Sequence, residues 1–294
     1  MAPLTDGTIT LPEGRRLAYT EWGNPTGSPV FYFHGPPGSR LWCPDENATG
    51  SANVRLIMPD RPGIGRSEVK EGRTLADWPT DVIGLADALR IDSFAVVGVS
   101  AGGPYAASCA ALIPSRLSAV GIVSSVALAK YNYAERPGAY EEWNTEQRAE
   151  FDVAQHDPPA AAELAAAHFA KEAAELDRHP EKIHEALQAA EGDRWFFDDK
   201  VRADTFDAYI RETFRQGVDA IKWELVDVFL PWGFQLSEIP VHVHVWHGEQ
   251  DPWVKRTHID FTASRIQECT VVVWPDSGHL GFVKHWDEIL ETLT

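Results

Sequence analysis

The chain has 294 residues, 44% hydrophobic and 24% charged, a balance that supports one large core and excludes a mainly disordered chain. Its formal net charge of −18 repels nucleic acid and anionic membrane surfaces, so neither is expected as a partner. Cys43, Cys109 and Cys269 are too few and too scattered for a disulfide framework or a metal cluster, which points to a reducing, cytoplasmic setting.

Residues 1–16 lack the basic start and apolar run of a secretory signal, and no stretch reaches the apolar length of a membrane span. Residues 8–11 and 16–22 alternate in polarity around Pro12-Glu13-Gly14, predicting an opening β-hairpin. A continuous apolar run at 29–33 predicts a strand buried on both faces, and 54–58 is read as another buried strand. The first ends in His34-Gly35-Pro36-Pro37-Gly38-Ser39, the second in the Gly- and Pro-rich loop from Asp60 to Ser67. Residues 74–89 carry apolar side chains at helical spacing, with Thr74 and Asp77 as a capping box in which Asp stands for Glu.

The stretch around which the chain is organised comes next. An apolar run over 94–99 enters Gly98-Val99-Ser100-Ala101-Gly102-Gly103, and a helix of small residues is predicted over 104–113. A strand, a sharp turn and a helix hold the serine hydroxyl out at a sheet end, and the glycines two residues either side leave room for the turn. The backbone N–H of Ala101, at the start of the helix, is placed to bind a developing oxyanion. A further strand over 117–123 continues the alternation of strand and helix, which predicts a mostly parallel sheet with helices on both faces and the ligand beyond the strands' carboxyl ends.

Strand patterns then stop. Residues 131–235 read as helices over 141–154, 159–175, 180–191, 203–215 and 218–228, and contain 23 acidic and 11 basic residues. Such charge is most simply a solvated helical face. The sheet pattern resumes over 241–246, followed by a helix over 256–266, a strand over 270–274 and a closing helix over 283–293.

A serine hydroxyl is a weak nucleophile that needs a base within reach and an acid to orient that base. His279, in a Gly-flanked loop after the last strand, is the candidate base, and Asp251, in a loop after the strand before it, the candidate acid. His247 and His285 are rival bases, His247 being expected to make local structural hydrogen bonds, and Glu249 and Asp276 are rival acids. No His, Asp and Glu recur at ligand spacing, so neither a metal nor another cofactor is expected.

Five segments in this order carry a family resemblance: His34-Gly35-Pro36-Pro37-Gly38, the Asp60 to Ser67 loop, the turn at Ser100, His247-Gly248-Glu249-Gln250-Asp251, and Ser277-Gly278-His279. Together they make the chain resemble a capped α/β-hydrolase across nearly its whole length. The resemblance implies an α/β fold with a mostly parallel eight-stranded sheet, residues 1–130 and 236–294 forming the core and residues 131–235 a helical cap. It also implies Ser100 as nucleophile, His279 as general base and then acid, and Asp251 as its orienter.

The oxyanion loop departs from the family pattern, in which the residue after His-Gly donates its N–H. Here that residue is Pro36, which has none, and Pro37 has none either. Losing one such donor costs about 3 kcal/mol of transition-state stabilisation. Three substitutes stand open: the N–H of Gly35 or Gly38, a side chain from Ser39 or the cap, or a reaction that builds little oxyanion.

Trp42 follows this loop, Trp253 follows Asp251, and the insertion carries Trp143, Trp195, Trp223 and Trp232. These are packing residues or the walls of an apolar pocket for a neutral small-molecule substrate. An acidic cap would attract a peptide amino terminus, but Ser-Ala-Gly-Gly differs from the Ser-Trp-Gly turn usual in the family's aminopeptidases. The leading expectation is a serine hydrolase acting on an ester, lactone or related acyl bond. A lyase or cyclase using Ser and His for proton transfer is the alternative, followed by a small-molecule receptor. Monomer and homodimer remain equally open.

Overall fold

The computed structural model describes residues 3–126, 145–188 and 190–294. Strands β1 (Thr5–Thr10) and β2 (Arg16–Gly23) form the predicted antiparallel hairpin, and β2 also runs antiparallel to β4 (Val54–Pro59). From there β3 (Ser28–Phe33), β5 (Phe94–Val99), β6 (Leu117–Val123), β7 (Val243–Gly248) and β8 (Cys269–Trp274) continue in parallel. The sheet has eight strands in the order β1-β2-β4-β3-β5-β6-β7-β8. Strand order reverses between β3 and β5, which are neighbours, and a crevice opens there because the connections leave the sheet on opposite sides.

All six residues of β5 are buried, because helices cover both faces of the sheet. Phe94 and Val96 point to one face, into a cluster with Val82 and Leu85 of α2 (Trp78–Ala88) and Ala106 and Cys109 of α3 (Gly103–Leu112). Ala95, Val97 and Val99 point to the other, into a second cluster that the C-terminal helices complete with Trp286, Ile289 and Leu290. The predicted Thr74–Asp77 capping box is present, with Thr74 N and Oγ1 both bonded to Asp77 Oδ2 at 2.8 and 2.9 Å. A short helix that sequence periodicity does not foresee, α1 (Glu46–Ser51), is set by its cap: Asp45 accepts N–H bonds from Asn47 and Ala48, both at 2.8 Å.

Between β6 and β7 the described residues are helical: α4 (Thr145–Ala154), α5 (Pro158–Arg178), α6 (Glu181–Leu187), a 3-10 segment (Glu191–Asp198), α7 (Lys200–Thr213), α8 (Val218–Ile221) and α9 (Trp223–Phe229). Residues 141–144 of the first predicted helix, with Trp143, lie outside the described residues. Two expectations are corrected here. The helix expected over 180–191 stops at Leu187, and the 3-10 segment after it turns Asp193 inward, where the carboxylate accepts two backbone N–H bonds. The single helix expected over 218–228 breaks at Lys222, and the restarted helix presents Glu224 and Asp227 to arginines of the core. After β7 come α10 (Arg256–Arg265), α11 (Gly281–Lys284) and α12 (Trp286–Leu293). The last two were expected as one helix over 283–293, and they part at His285, whose ring stacks on Trp274 at 4.3 Å.

The contact between α9 and the core is a buried network of charge. Arg61 Nη2 donates to Glu224 Oε2 at 2.6 Å and its Nε to the same oxygen at 3.1 Å, both side chains being fully buried. Arg73 also donates to Glu224 and lies 3.2 Å from Asp227, whose carboxylate accepts from the Tyr105 hydroxyl at 2.8 Å. In so low a dielectric, an ion without its partner is far costlier than the pair. Glu224→Ala is therefore expected to destabilise the fold by about 3–5 kcal/mol, read as a lowered urea midpoint, whereas the exposed Lys200→Ala should stay within about 0.5 kcal/mol of the parent.

Candidate active site

β5 passes into α3 through a 3-10 turn, Ser100–Gly102, and Ser100 sits there at φ +56°. That left-handed conformation costs a non-glycine residue about 1–2 kcal/mol and persists only where its surroundings enforce it. The enforcement is steric: a Cβ on Gly98 would strike the Gly102 carbonyl, and one on Gly102 the Phe33 carbonyl at the end of β3. Close approach at these two positions explains the spacing of glycines about the serine. The end of β3 is equally tight, since a Cβ on Gly35 would lie 3.0 Å from Ser100 Cβ and 3.3 Å from its Oγ.

Ser100 opens into a cavity of about 100 Å³ at the crevice between β3 and β5. Gly35, Pro36, Pro37, Trp42, Trp253 and His279 share its lining with Leu187 of α6 and Phe206, Tyr209 and Ile210 of α7. A wider groove of about 460 Å³ lies on the other side of Trp42, among Asp45, Trp195, Arg202 and Lys284. It contains neither Ser100 nor His279, so the smaller cavity is the one that joins chemistry to space.

His279 Nδ1 lies 2.7 Å from Asp251 Oδ2. Asp251 Oδ1 accepts the N–H groups of Trp253 at 2.9 Å and Val254 at 3.0 Å, so the carboxylate is held from both sides. A carboxylate can only accept here, which places the imidazole proton on Nδ1 and leaves Nε2 with its lone pair. Burial of the His279 ring works against its protonation, but the facing Asp251 outweighs burial and holds the pKa above the ordinary 6.5. Burial likewise opposes the charge on Asp251, yet His279 and the two N–H bonds bring its pKa below 3.8. Trp253, half exposed, stacks on the imidazole with ring centroids 5.5 Å apart.

The rivals lie elsewhere. Glu249 pairs with Arg256 at 3.1 Å, and Asp276 is exposed. His247 is buried, and against expectation its Nδ1 has no hydrogen-bond partner among the described residues. Burial lowers its pKa, so it stays neutral. Among the described residues no group of His, Cys, Asp and Glu has metal-binding geometry, and no helix is long and apolar enough to cross a membrane.

Of the groups expected to replace the absent Pro36 N–H, Ser39 is already engaged, its hydroxyl donating to the Tyr209 carbonyl at 2.8 Å. Gly38 stands outside the cavity lining, with its carbonyl accepting from Thr213 Oγ1 at 2.9 Å and its Cα packed against the Tyr209 hydroxyl. Ala101 is a buried residue of the turn itself, directly after Ser100. Sequence reasoning passed over two residues. Tyr209 is indistinguishable from any other apolar position of an amphipathic helix, and Asp193 reads as one more acid in an acidic segment.

Residues 25–292 match the profile of the Alpha/beta hydrolase family. The chain belongs to that family. An epoxide hydrolase of Caballeronia sordidicola is 39% identical over 111 residues, 36% of this chain and 33% of that protein. A non-heme chloroperoxidase of Streptomyces lividans is 32% identical over 123 residues, 41% of this chain and 45% of that protein. The chain thus spans less than half the length of these curated relatives. A thermophilic esterase of Thermogutta terrifontis superposes with a TM-score of 0.63 at 22% identity, covering 98% of this chain and 96% of that one, a likeness of fold.

Asp251→Asn removes the negative charge that favours the imidazolium. The His279 titration midpoint should therefore fall from above 6.5 to below its parental value, by about 1 unit or more, as followed by NMR of the imidazole resonances.

Proposed function

We propose that the chain is a serine hydrolase that cleaves an ester, lactone or related acyl bond of a small, largely apolar substrate. The observation that carries this reading is the strained Ser100 opening into the same cavity as His279, whose Nδ1 is held by Asp251. Ser100 Oγ attacks the acyl carbon while His279 Nε2 takes its proton, and Asp251 stabilises the imidazolium that forms. His279 then returns the proton to the leaving oxygen, and a water activated by the same imidazole releases the acyl group from Ser100. The Ser100–His279 hydrogen bond is the link this sequence requires once substrate is seated.

For the oxyanion we assign two donors, the Ala101 N–H and the Tyr209 hydroxyl. The tyrosine lines the cavity, and its hydroxyl donates to no other group among the described residues. Burial pushes its pKa up, so it stays a phenol and a donor. It arrives on α7, which supports reading residues 131–235 as a cap that completes the site as well as covering it. The walls argue for an apolar substrate: Trp42, Leu187, Phe206, Ile210 and Phe282 surround Ser100, and no carboxylate lines the cavity among the described residues. Among the described residues a peptide amino terminus would find no counter-charge there, and the acidic residues described in the insertion lie outside this cavity.

A fluorophosphonate should label Ser100, and Ser100→Ala should abolish both labelling and turnover of a short-chain chromogenic ester, by at least about a thousandfold. The rate should fall as pH drops through the raised His279 pKa, because the base must be neutral to act. Absence of both labelling and turnover in the parent chain overturns the reading. Tyr209→Phe should lower kcat by about a hundredfold with KM little changed, as removal of a single oxyanion donor does.

A further inference from the structure

We propose that Asp193, a residue of the helical insertion, positions the base His279 by clasping the backbone on both sides of it. Gly278 N donates to Asp193 Oδ1 at 3.0 Å, and Leu280 N donates to Asp193 Oδ2 at 2.9 Å. The carboxylate therefore uses both oxygens on the two residues that flank His279, and it is fully buried while doing so. Charge-assisted bonds from two backbone donors fix a loop more tightly than neutral ones. Asp251 holds the imidazole at Nδ1 and Asp193 holds the chain that bears it, so ring and backbone are each constrained by a separate acid.

The clasp belongs to a segment that also backs one residue of the cavity wall, Trp42. Next to Asp193, Gly192 N donates to Gln250 Oε1 at 3.0 Å, and the Gly192 carbonyl accepts from Lys284 Nζ at 3.0 Å. Three residues further on, Phe196 packs edge-on against Trp42 at 5.7 Å between ring centroids. One 3-10 segment thereby links the seat of the substrate to the place of the base. Seating the insertion and setting His279 become a single event.

Among the described residues, the charged and titratable groups facing His279 are Asp251 on the loop after β7, Asp193 on the insertion and His247 at the end of β7. Asp193 in turn faces His279 and Asp251. Burial pushes the Asp193 pKa up against the pull of its two N–H bonds. Protonation would leave one oxygen able to accept and release the other N–H.

The consequence for turnover rests on the serine-hydrolase reading, while the clasp is read without substrate. The test compares the parent chain with Asp193→Asn by NMR titration of the His279 imidazole and by the pH dependence of fluorophosphonate labelling of Ser100. Asparagine keeps one acceptor, turns an NH2 toward the other N–H, and removes a negative charge near the imidazole. The His279 midpoint and the acid limb of labelling should both move to lower pH, by about 1 unit, and the labelling rate at its optimum should fall about tenfold or more. An unchanged midpoint overturns the proposal whatever the rate does, and a shifted midpoint with an unchanged rate overturns the positioning role. If the parent chain is not labelled at all, it is the hydrolase reading that fails, and the clasp is judged on the titration alone. Should Asp193→Asn not fold, the parent decides: the Gly278 and Leu280 amide resonances should move together through one common midpoint distinct from that of His279, and independent movement overturns the proposal.

Discussion

The Gly102 backbone lies so close to the Phe33 carbonyl at the end of β3 that no side chain fits between them, and the rest of the site is referred to this contact. It wedges the turn after β5 against its neighbour and keeps Ser100 in a conformation it would leave if free. Because β3 and β5 are also where strand order reverses, the serine emerges at the crevice where the sheet connections diverge. The strain is local and the restraint is sheet pairing, so the position of Ser100 is as firm as the centre of the core.

Around this point three buried acids behave differently because their partners differ. Asp251 accepts two N–H groups and faces an imidazole, and its pKa falls despite burial. Glu224 is neutralised by Arg61 and Arg73, so its charge holds α9 on the core. Asp193 has backbone donors but, among the described residues, no salt-bridge cation, and burial prevails. The pattern follows from desolvation opposing specific partners, and it shows how an insertion with a large excess of acidic residues adds individual carboxylates to an interior while its surface stays charged.

Much of the fold was legible along the chain. The strands at 29–33 and 94–99 were announced by unbroken apolar runs, which a strand covered on both faces requires, those at 54–58 and 117–123 by mainly apolar stretches interrupted at Arg55 and Ser118, and the hairpin by its alternation. Helix ends in the insertion were less legible, because contacts distant in sequence decide them. The break at Lys222 serves Arg61 and Arg73, and the stop at Leu187 gives way to the turn that carries Asp193 to the His279 loop. Helix α1 escaped notice because a side-chain cap and packing hold it rather than an apolar stripe.

The sequence by itself determined the strand-turn-helix around Ser100, the order of Ser100, Asp251 and His279, and the absence of an N–H at Pro36, since each depends on the identity and spacing of neighbouring residues. The tertiary structure alone decided which histidine and which acid pair, that Ser39 is spent on the Tyr209 carbonyl, that the Tyr209 hydroxyl reaches the loop beside the serine, and that Asp193 brackets His279. These contacts join residues far apart along the chain, and an amphipathic or acidic helix looks the same whichever of its side chains the fold turns inward.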